Sequence, residues 1–301
     1  MATKQKVQLA IMNAIHDLPV LVARDEGFFA NEGLDIEFVT TPGMAQVTSS
    51  HETRWGAIFE RPLDTAYNEG GIDQFRMCEW GIVKRAVECT AQGLRPRRIV
   101  ALGAAMSTFA IVVRSDSDAY EPEQLKDRAI AVTPFNGSNF TTLKMMEGFL
   151  AQEHVKTTNA GNMQKRLEAL RKGYVEAVSL MEPWISYAQK EGLRILIESH
   201  STRAEAAGDE LDGSTLAAMF RAQAHAVEVL EKDPTPYVHY LVAETGGLLE
   251  EKDFQTWRLL NAAPQPYTRE RWDDTYNWTV KWDMVIDGAT FETVVDNRAW
   301  E

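Results

Sequence analysis

The sequence predicts an α/β fold, because patterns typical of strands and of helices alternate along the chain. Two stretches carry this prediction: residues 7–39 and residues 98–191. The chain has 301 residues, of which 45% are hydrophobic, which is enough to bury one or two cores. A chain of this length typically divides into domains of about 100 to 200 residues.

The first of these stretches predicts a parallel βαβ unit. Residues 7–11 alternate between large apolar and smaller or polar side chains, as in a strand. Asp17 is predicted to cap the helix that follows, with Pro19 in its first turn, and Gly33 is predicted to end it. Residues 34–38 alternate again, so a second strand follows.

The same pattern returns in the second stretch. Residues 98–101 and 109–114 are two apolar runs, and residues 129–132 predict a short strand. The polar, glycine-containing turn 134–139 then leads into a helix, where backbone N–H groups and the positive end of the helix dipole can hold an anion. The alternative is that Ser138 or Asn139 only caps the helix.

Charge and composition exclude several classes of protein. The net charge of −13 argues against nucleic acid as a partner. No stretch approaches the ~20 apolar residues that span a bilayer. Residues 1–6 are not followed by the apolar core of an export signal, so a cytoplasmic location is expected, or a periplasmic one if a leader was removed.

Common cofactor motifs are absent from the sequence. It has no CxxC, HExxH, GxxxxGK[ST] or GxGxxG motif, so no metal and no cofactor is predicted. Cys78 and Cys89 are the only two cysteines, and thiols are expected rather than a disulfide.

Three segments resemble the solute-binding proteins for nitrate, sulfonates and taurine. They are Val7 to Val39, Tyr67 to Glu88 with its Gly-Ile-Asp run, and Arg166 to Trp184. This resemblance implies the two-lobed type 2 periplasmic-binding-protein fold, with a mixed sheet and flanking helices in each lobe. One lobe would hold residues 1–105 and 206–301, the other residues 106–205.

In this family a small organic anion binds in the cleft between the lobes, and a membrane permease of the ABC type is the partner when the protein is exported. The oligomeric state stays open. The thiamine-pyrimidine precursor synthases of the same group use a histidine with a cysteine-rich iron motif, and this chain lacks that motif.

The resemblance also implies which positions line the cleft. Carried onto this chain, these ligand-binding positions are Asn13, His16, Glu79, Trp80, Gly137, Ser138, Asn139, Glu182 and Trp184. Arg76 joins them because a guanidinium binds a carboxylate or sulfonate through two parallel hydrogen bonds. The tryptophans could stack on a flat ring, which favours an aromatic or heteroaromatic anion.

An enzyme is the alternative to a binding protein. Cys78 near Arg76 is a candidate nucleophile with His51 as its base. His51 lies in the segment 42–70, which is longer than in simpler family members. A desulfinating enzyme of this fold has its cysteine after the first strand, where this chain has Ala14. A lyase or hydrolase on a small aromatic acid and a cytosolic ligand sensor therefore stay open beside the binding protein.

Overall fold

The computed structural model describes residues 5–40 and 62–301, and within them nine strands form one mixed sheet flanked by helices. The strands are β1 (Gln5–Ala10), β2 (Leu34–Val39), β3 (Gln74–Cys78), β4 (Arg98–Val113), β5 (Ala129–Val132), β6 (Lys156–Asn159), β7 (Ala177–Met181), β8 (Arg194–Ala207) and β9 (Leu260–Asn261). The helices are α1 (Ala14–Asp25), α2 (Phe28–Asn31), α3 (Pro62–Asn68), α4 (Glu79–Ala91), α5 (Gly137–Met146), α6 (Met163–Arg171), α7 (Trp184–Lys190), α8 (Gly213–Lys232), α9 (Val238–Ala243), α10 (Arg269–Lys281) and α11 (Phe291–Val294).

The two halves of the sheet repeat one arrangement of strands. The order across the sheet is β2-β1-β3-β8-β4-β7-β5-β6, and β9 pairs with β4. Strands β2, β1 and β3 are parallel, as are β6, β5 and β7 at the other side. Between them β8 and β4 run antiparallel to their neighbours and to each other. Each half is therefore a parallel three-stranded unit closed by one antiparallel strand.

Strands β4 and β8 belong to both halves. The apolar runs at 98–101 and 109–114, which the sequence separates, lie in the single strand β4 except for residue 114, which follows its end. The β4–β8 register shifts between the pairs Leu102–Ala204 and Met106–Thr202, where β4 advances by four residues and β8 by two. The lobe boundary predicted at 105/106 falls within this irregularity, and the one predicted at 205/206 lies just outside it. The division into lobes itself stays a prediction.

Gly103 lies inside this irregularity, and its missing side chain leaves room for a carboxylate. A Cβ atom at position 103 would lie 2.8 Å from Oε1 of Glu205. Real Cβ atoms do not approach another atom so closely, so Glu205 keeps its position because residue 103 is glycine.

The opening βαβ unit is present, but α1 begins earlier than predicted. Asn13 caps the helix by accepting a hydrogen bond from the His16 amide, so the first helical residue is Ala14. Asp17, the predicted cap, is instead buried in the first turn. Pro19 lies within the helix. The single helix predicted to end at Gly33 is two helices: α1 ends at Asp25, Gly27 with φ of +72° precedes α2, and Gly33 with φ of +79° separates α2 from β2.

The apolar core follows the two halves of the sheet. Val7 and Leu9 of β1 are fully buried, as are residues 109–113 of β4 and 177–180 of β7. Strands covered on both faces bury all their side chains in this way. None of the helices in the described ranges has the length and apolar character needed to cross a membrane.

A buried ion cluster fastens α3 and α4 to the chain before β4. Oδ1 of Asp64 accepts hydrogen bonds from Nε of Arg85 at 3.1 Å and from Nη1 of Arg97 at 2.6 Å. All three side chains are buried. Removing one partner of a buried pair leaves an uncompensated charge, so this cluster should be sensitive to substitution.

We expect Asp64→Asn to lower the free energy of unfolding by about 3 to 5 kcal/mol, because Arg85 and Arg97 then share no carboxylate. Urea denaturation followed by circular dichroism measures this change. Glu37→Gln is the matched control, since Glu37 pairs with Lys6 on the surface and its loss should leave the midpoint unchanged. Equal effects of the two substitutions would contradict the prediction.

Candidate functional site

The starts of three helices follow the carboxyl ends of parallel strands. Helix α1 follows β1, α4 follows β3 without any loop, and α5 follows β5 after a short turn. The carboxyl ends of strands in open α/β sheets are where ligands bind. Each helix start also presents backbone N–H groups and the positive end of its dipole, which favour an anion.

Arg76, the arginine predicted to bind the ligand, is neutralised inside the protein. Its Nη1 donates to Asp17, and its Nε donates to Glu205 at 3.0 Å. All three groups are buried. Burial works against ionisation of Arg76, but the charges of Glu205 and Asp17 together raise its pKa. The contact of Arg76 with the ligand therefore stays a prediction. The geometry favours a second arginine as the residue that binds the anion.

That second arginine is Arg203 in β8, whose side chain is fully buried. Its Nη1 donates to Oγ of Ser201 at 3.1 Å, while its Nε and Nη2 have no hydrogen-bond partner among the described residues. No carboxylate in the described ranges forms an ion pair with it. Burial lowers its pKa to about 10. Among the described residues this guanidinium has no carboxylate ion pair, and two of its nitrogen atoms are available to an anion.

His16 lies in the first turn of α1 beside both arginines. Burial, with the charges of Arg203 and Arg76, lowers the pKa of His16 well below 6.5. The imidazole is therefore neutral near pH 7. Its Nδ1 has no hydrogen-bond partner among the described residues. A neutral imidazole next to two guanidinium groups can donate to an anion that offsets their charge.

Cys78 and the start of α5 complete the surroundings of Arg203. Cys78 is the N-cap of α4 and is paired in register with Arg203 across β3 and β8. The guanidinium lies 5.8 Å from the centre of the Phe109 ring. A Cβ on Gly137 would come within 3.0 Å of that ring and 3.5 Å of the Cys78 Cβ. Gly137 therefore brings the backbone of α5 close to both.

The turn before α5 is held by its own side chains. Asn136 caps the helix, rather than Ser138 or Asn139. Oγ of Ser138 accepts from the Thr133 amide at 3.0 Å, and Oδ1 of Asn139 accepts from the Phe135 amide at 3.2 Å. These bonds fix the direction of the helix start. They leave the Asn139 amide group as a possible donor to a ligand.

Glu79 is occupied within the protein. Its Oε1 accepts hydrogen bonds from Tyr267, Arg271 and Thr275, and its Oε2 from Arg271 and Thr202. Burial raises the pKa of the Glu79 carboxyl, but these donors outweigh burial and lower it. The carboxylate therefore joins α4 to α10 and β8, and these contacts account for its burial without a ligand.

Trp80, the next residue, lies in an aromatic cluster. Its ring stacks on Phe140 with 6.2 Å between the ring centres and also contacts Trp278 at 5.6 Å. The cluster includes Cys78. Trp80 is thus near the site around Arg203, and it packs α4 against α5 and α10.

Glu182 belongs to a different network. It accepts from the amide and hydroxyl of Ser186 and from Nη1 of Arg258. Burial raises its pKa to about 7. Trp184 packs at right angles to the ring of Tyr187. Glu182 directly follows Met181, which pairs with Phe109 across β4 and β7, and the ligand contact of Glu182 and Trp184 stays a prediction.

Asn13 lies at the site as the cap of α1, whose next amide, that of Ala14, donates to Glu244. Burial raises the pKa of Glu244 to about 7.

His51, the predicted base, lies outside the described residues. The catalytic pair of Cys78 and His51 therefore stays a prediction.

Arg203, Phe109 and Glu244 were not predicted as site residues. One signal was present in the run Thr202-Arg203-Ala204-Glu205-Ala206, where two charged residues alternate with small apolar ones. Charged side chains on one face of a strand whose other face is apolar indicate either a solvent-exposed face or a buried polar site.

Solved structures share this fold, although no protein-family model and no curated protein matches the sequence. The alkanesulfonate-binding protein SsuA from Xanthomonas axonopodis pv. citri, bound to MOPS, has a TM-score of 0.71 at 15% identity, covering 97% of this chain and 98% of that one. The periplasmic nitrate-binding protein NrtA from Synechocystis PCC 6803 has a TM-score of 0.70 at 14% identity, covering 99% and 87%. The desulfurization enzyme DSZB has a TM-score of 0.61 at 12% identity, covering 98% of each chain.

These likenesses extend over almost the whole chain and confirm the fold predicted from the sequence. The protein has the periplasmic-binding-protein fold of the sulfonate- and nitrate-binding proteins.

Proposed function

We propose that the protein binds a small organic anion at Arg203, between the starts of α1 and α5. The observation that carries this proposal is the buried Arg203 guanidinium, whose Nε and Nη2 have no partner among the described residues. A bound sulfonate or carboxylate would accept two hydrogen bonds there and supply the missing negative charge. The fold shared with a sulfonate-binding and a nitrate-binding protein supports the same assignment.

The neighbouring groups suit the anion's other contacts. The neutral His16 ring can donate one hydrogen bond to the anion. The backbone N–H groups at the start of α5 can donate further hydrogen bonds to it. The Phe109 ring beside Gly137, with Trp80 in the adjoining cluster, favours an aromatic or heteroaromatic body on the ligand. Benzenesulfonate is therefore a suitable first probe, and the uncharged benzenesulfonamide is its matched control.

We expect Arg203→Met to weaken benzenesulfonate binding by about 10- to 100-fold, since a hydrogen bond to a charged group contributes roughly 1.5 to 3 kcal/mol. Isothermal titration calorimetry measures this loss. Benzenesulfonamide should bind weakly to both proteins. Unchanged benzenesulfonate affinity in Arg203→Met would show that the anion does not bind at Arg203.

The same substitution should raise thermal stability, because it removes a buried charge that has no carboxylate ion pair in the part of the chain that the structure describes. The expected rise in the melting temperature is roughly 2 to 4 °C for each kcal/mol gained. Arg258→Met is the matched control: Arg258 is equally buried but pairs with Glu182 and Glu198, so this variant should melt lower. If both variants melt lower, Arg203 is a structural residue.

His16 should make the ligand-free protein less stable at acid pH. Its pKa is well below 6.5 when folded and near 6.5 when unfolded, so the unfolded chain binds more protons as the pH falls below 6.5. The His16 contribution is therefore complete above pH 6.5 and is lost below it, by up to about 1.4 kcal/mol per pH unit. His16→Gln should remove this part of the pH dependence.

Urea denaturation between pH 7.5 and 5.5 tests this expectation through the difference between wild type and His16→Gln. Saturating benzenesulfonate should reduce the difference, since a bound anion offsets the arginine charges and raises the His16 pKa. Parallel stability curves for the two proteins without ligand would show that His16 is not the group concerned.

A further inference from the structure

Cys78 occupies a position that favours a negatively charged sulfur. It is the last residue of β3 and the N-cap of α4, a helix of 13 residues, and its side chain is 5% exposed. The positive end of a helix dipole stabilises a thiolate relative to a thiol. Gly81 lies so close that a Cβ there would be 2.9 Å from Sγ, so the first turn of the helix packs directly on the sulfur.

Arg203 is the second group that acts on this sulfur. The two residues are paired in register, and opposed residues of antiparallel strands project to the same face. A negative charge on Cys78 raises the pKa of Arg203, as the charge of Asp17 also does. Asp17 is itself paired with Arg76, and no carboxylate in the described ranges forms an ion pair with the Arg203 guanidinium, so this cation favours the thiolate.

The start of α5 faces the same point from the second half of the sheet. A Cβ on Gly137 would lie 3.5 Å from the Cβ of Cys78, so the first turn of α5 approaches the cysteine backbone closely. Cys78 therefore adjoins the position where we place the anionic group of the ligand.

Cys89 provides a contrast within the same helix. It is fully buried near the end of α4, and burial raises its pKa to about 12. Cys89 thus remains a thiol at neutral pH and is shielded from reagents. Because the chain has only these two cysteines, it contains its own unreactive reference.

We propose that Cys78 is a covalent modification site for small anionic electrophiles, which Arg203 binds and presents to the sulfur. This inference rests on the proposed function only in that both place an anion at Arg203. With iodoacetate as the probe, the Cys78 thiol first loses its proton to the buffer. The thiolate then forms an S–C bond to the CH₂ carbon as the C–I bond breaks, and iodide leaves with the electron pair.

The product carries its own carboxylate on Cys78. Placed beside Arg203, this carboxylate supplies the missing counter-charge and occupies the anion site permanently. Modification of Cys78 would therefore shut off ligand binding.

The experiment compares iodoacetate with iodoacetamide on the native 301-residue chain. The two reagents deliver the same CH₂ group and differ in charge, so their relative rates report the effect of Arg203. Peptide mapping by mass spectrometry follows Cys78 and Cys89 separately. At Cys78 we expect the ratio of iodoacetate to iodoacetamide rates to exceed that of N-acetylcysteine by at least about tenfold. Cys89 should react with neither reagent until the protein is unfolded.

Two further measurements identify the cause of the preference. In Arg203→Met the rate ratio should fall to that of N-acetylcysteine. In the wild type, saturating benzenesulfonate should protect Cys78 from iodoacetate, whereas benzenesulfonamide should not. The protection experiment needs no variant, so it decides the question even where Arg203→Met folds poorly.

The inference is overturned if Cys78 reacts no faster with iodoacetate than the N-acetylcysteine ratio predicts, or if neither reagent reaches it in the folded protein. Calorimetry separates this result from the fate of the proposed function. Benzenesulfonate binding without selective alkylation contradicts only the inference about Cys78. Selective alkylation without benzenesulfonate binding supports Cys78 as a modification site and contradicts the proposed ligand class.

Discussion

The charge of Arg76 determines much of the architecture around the site. This guanidinium is buried between Asp17 at the start of α1 and Glu205 in β8, so three elements must meet around it. Asp17 also accepts hydrogen bonds from the amides of Met12 and Asn13, which sets where α1 begins. Because Arg76 pairs with both carboxylates, Arg203, two residues before Glu205 on the same face of β8, has no carboxylate ion pair within residues 5–40 and 62–301.

The fold places the Arg203 guanidinium close to the starts of α4 and α5. The two sets of three parallel strands run in opposite directions, and their carboxyl ends face each other near the middle of β4 and β8, where α1, α4 and α5 begin. Strands β4 and β8 run through both halves and carry Phe109 and Arg203 between them. The dipoles of these helices and the buried Arg203 guanidinium therefore favour an anion at the same place. Glu79 and Glu182, by contrast, accept hydrogen bonds that join neighbouring elements of the fold.

The sequence predicted the fold well because its strongest signals are local. The alternation in β1 and β2 and the glycine before β2 depend on neighbouring residues only. The site depended on pairings that a single sequence does not show: Arg76 meets Asp17 and Glu205, which are 59 and 129 residues away. Arg76 and Arg203 are equally plausible anion ligands until those partners are known. The unity of β4 was missed because residues 102–107 are mostly small and lack a strand signal.

Gly103 has a consequence that extends beyond its own strand. The carboxylate of Glu205 can approach Arg76 only while position 103 lacks a side chain. A methyl group at position 103 would displace the Glu205 carboxylate. The negative charge near Arg76 and near Arg203 would then change. If the anion binds at Arg203 as proposed, a substitution at position 103 would alter its affinity through Glu205 and Arg76, without a change in any group that holds the anion.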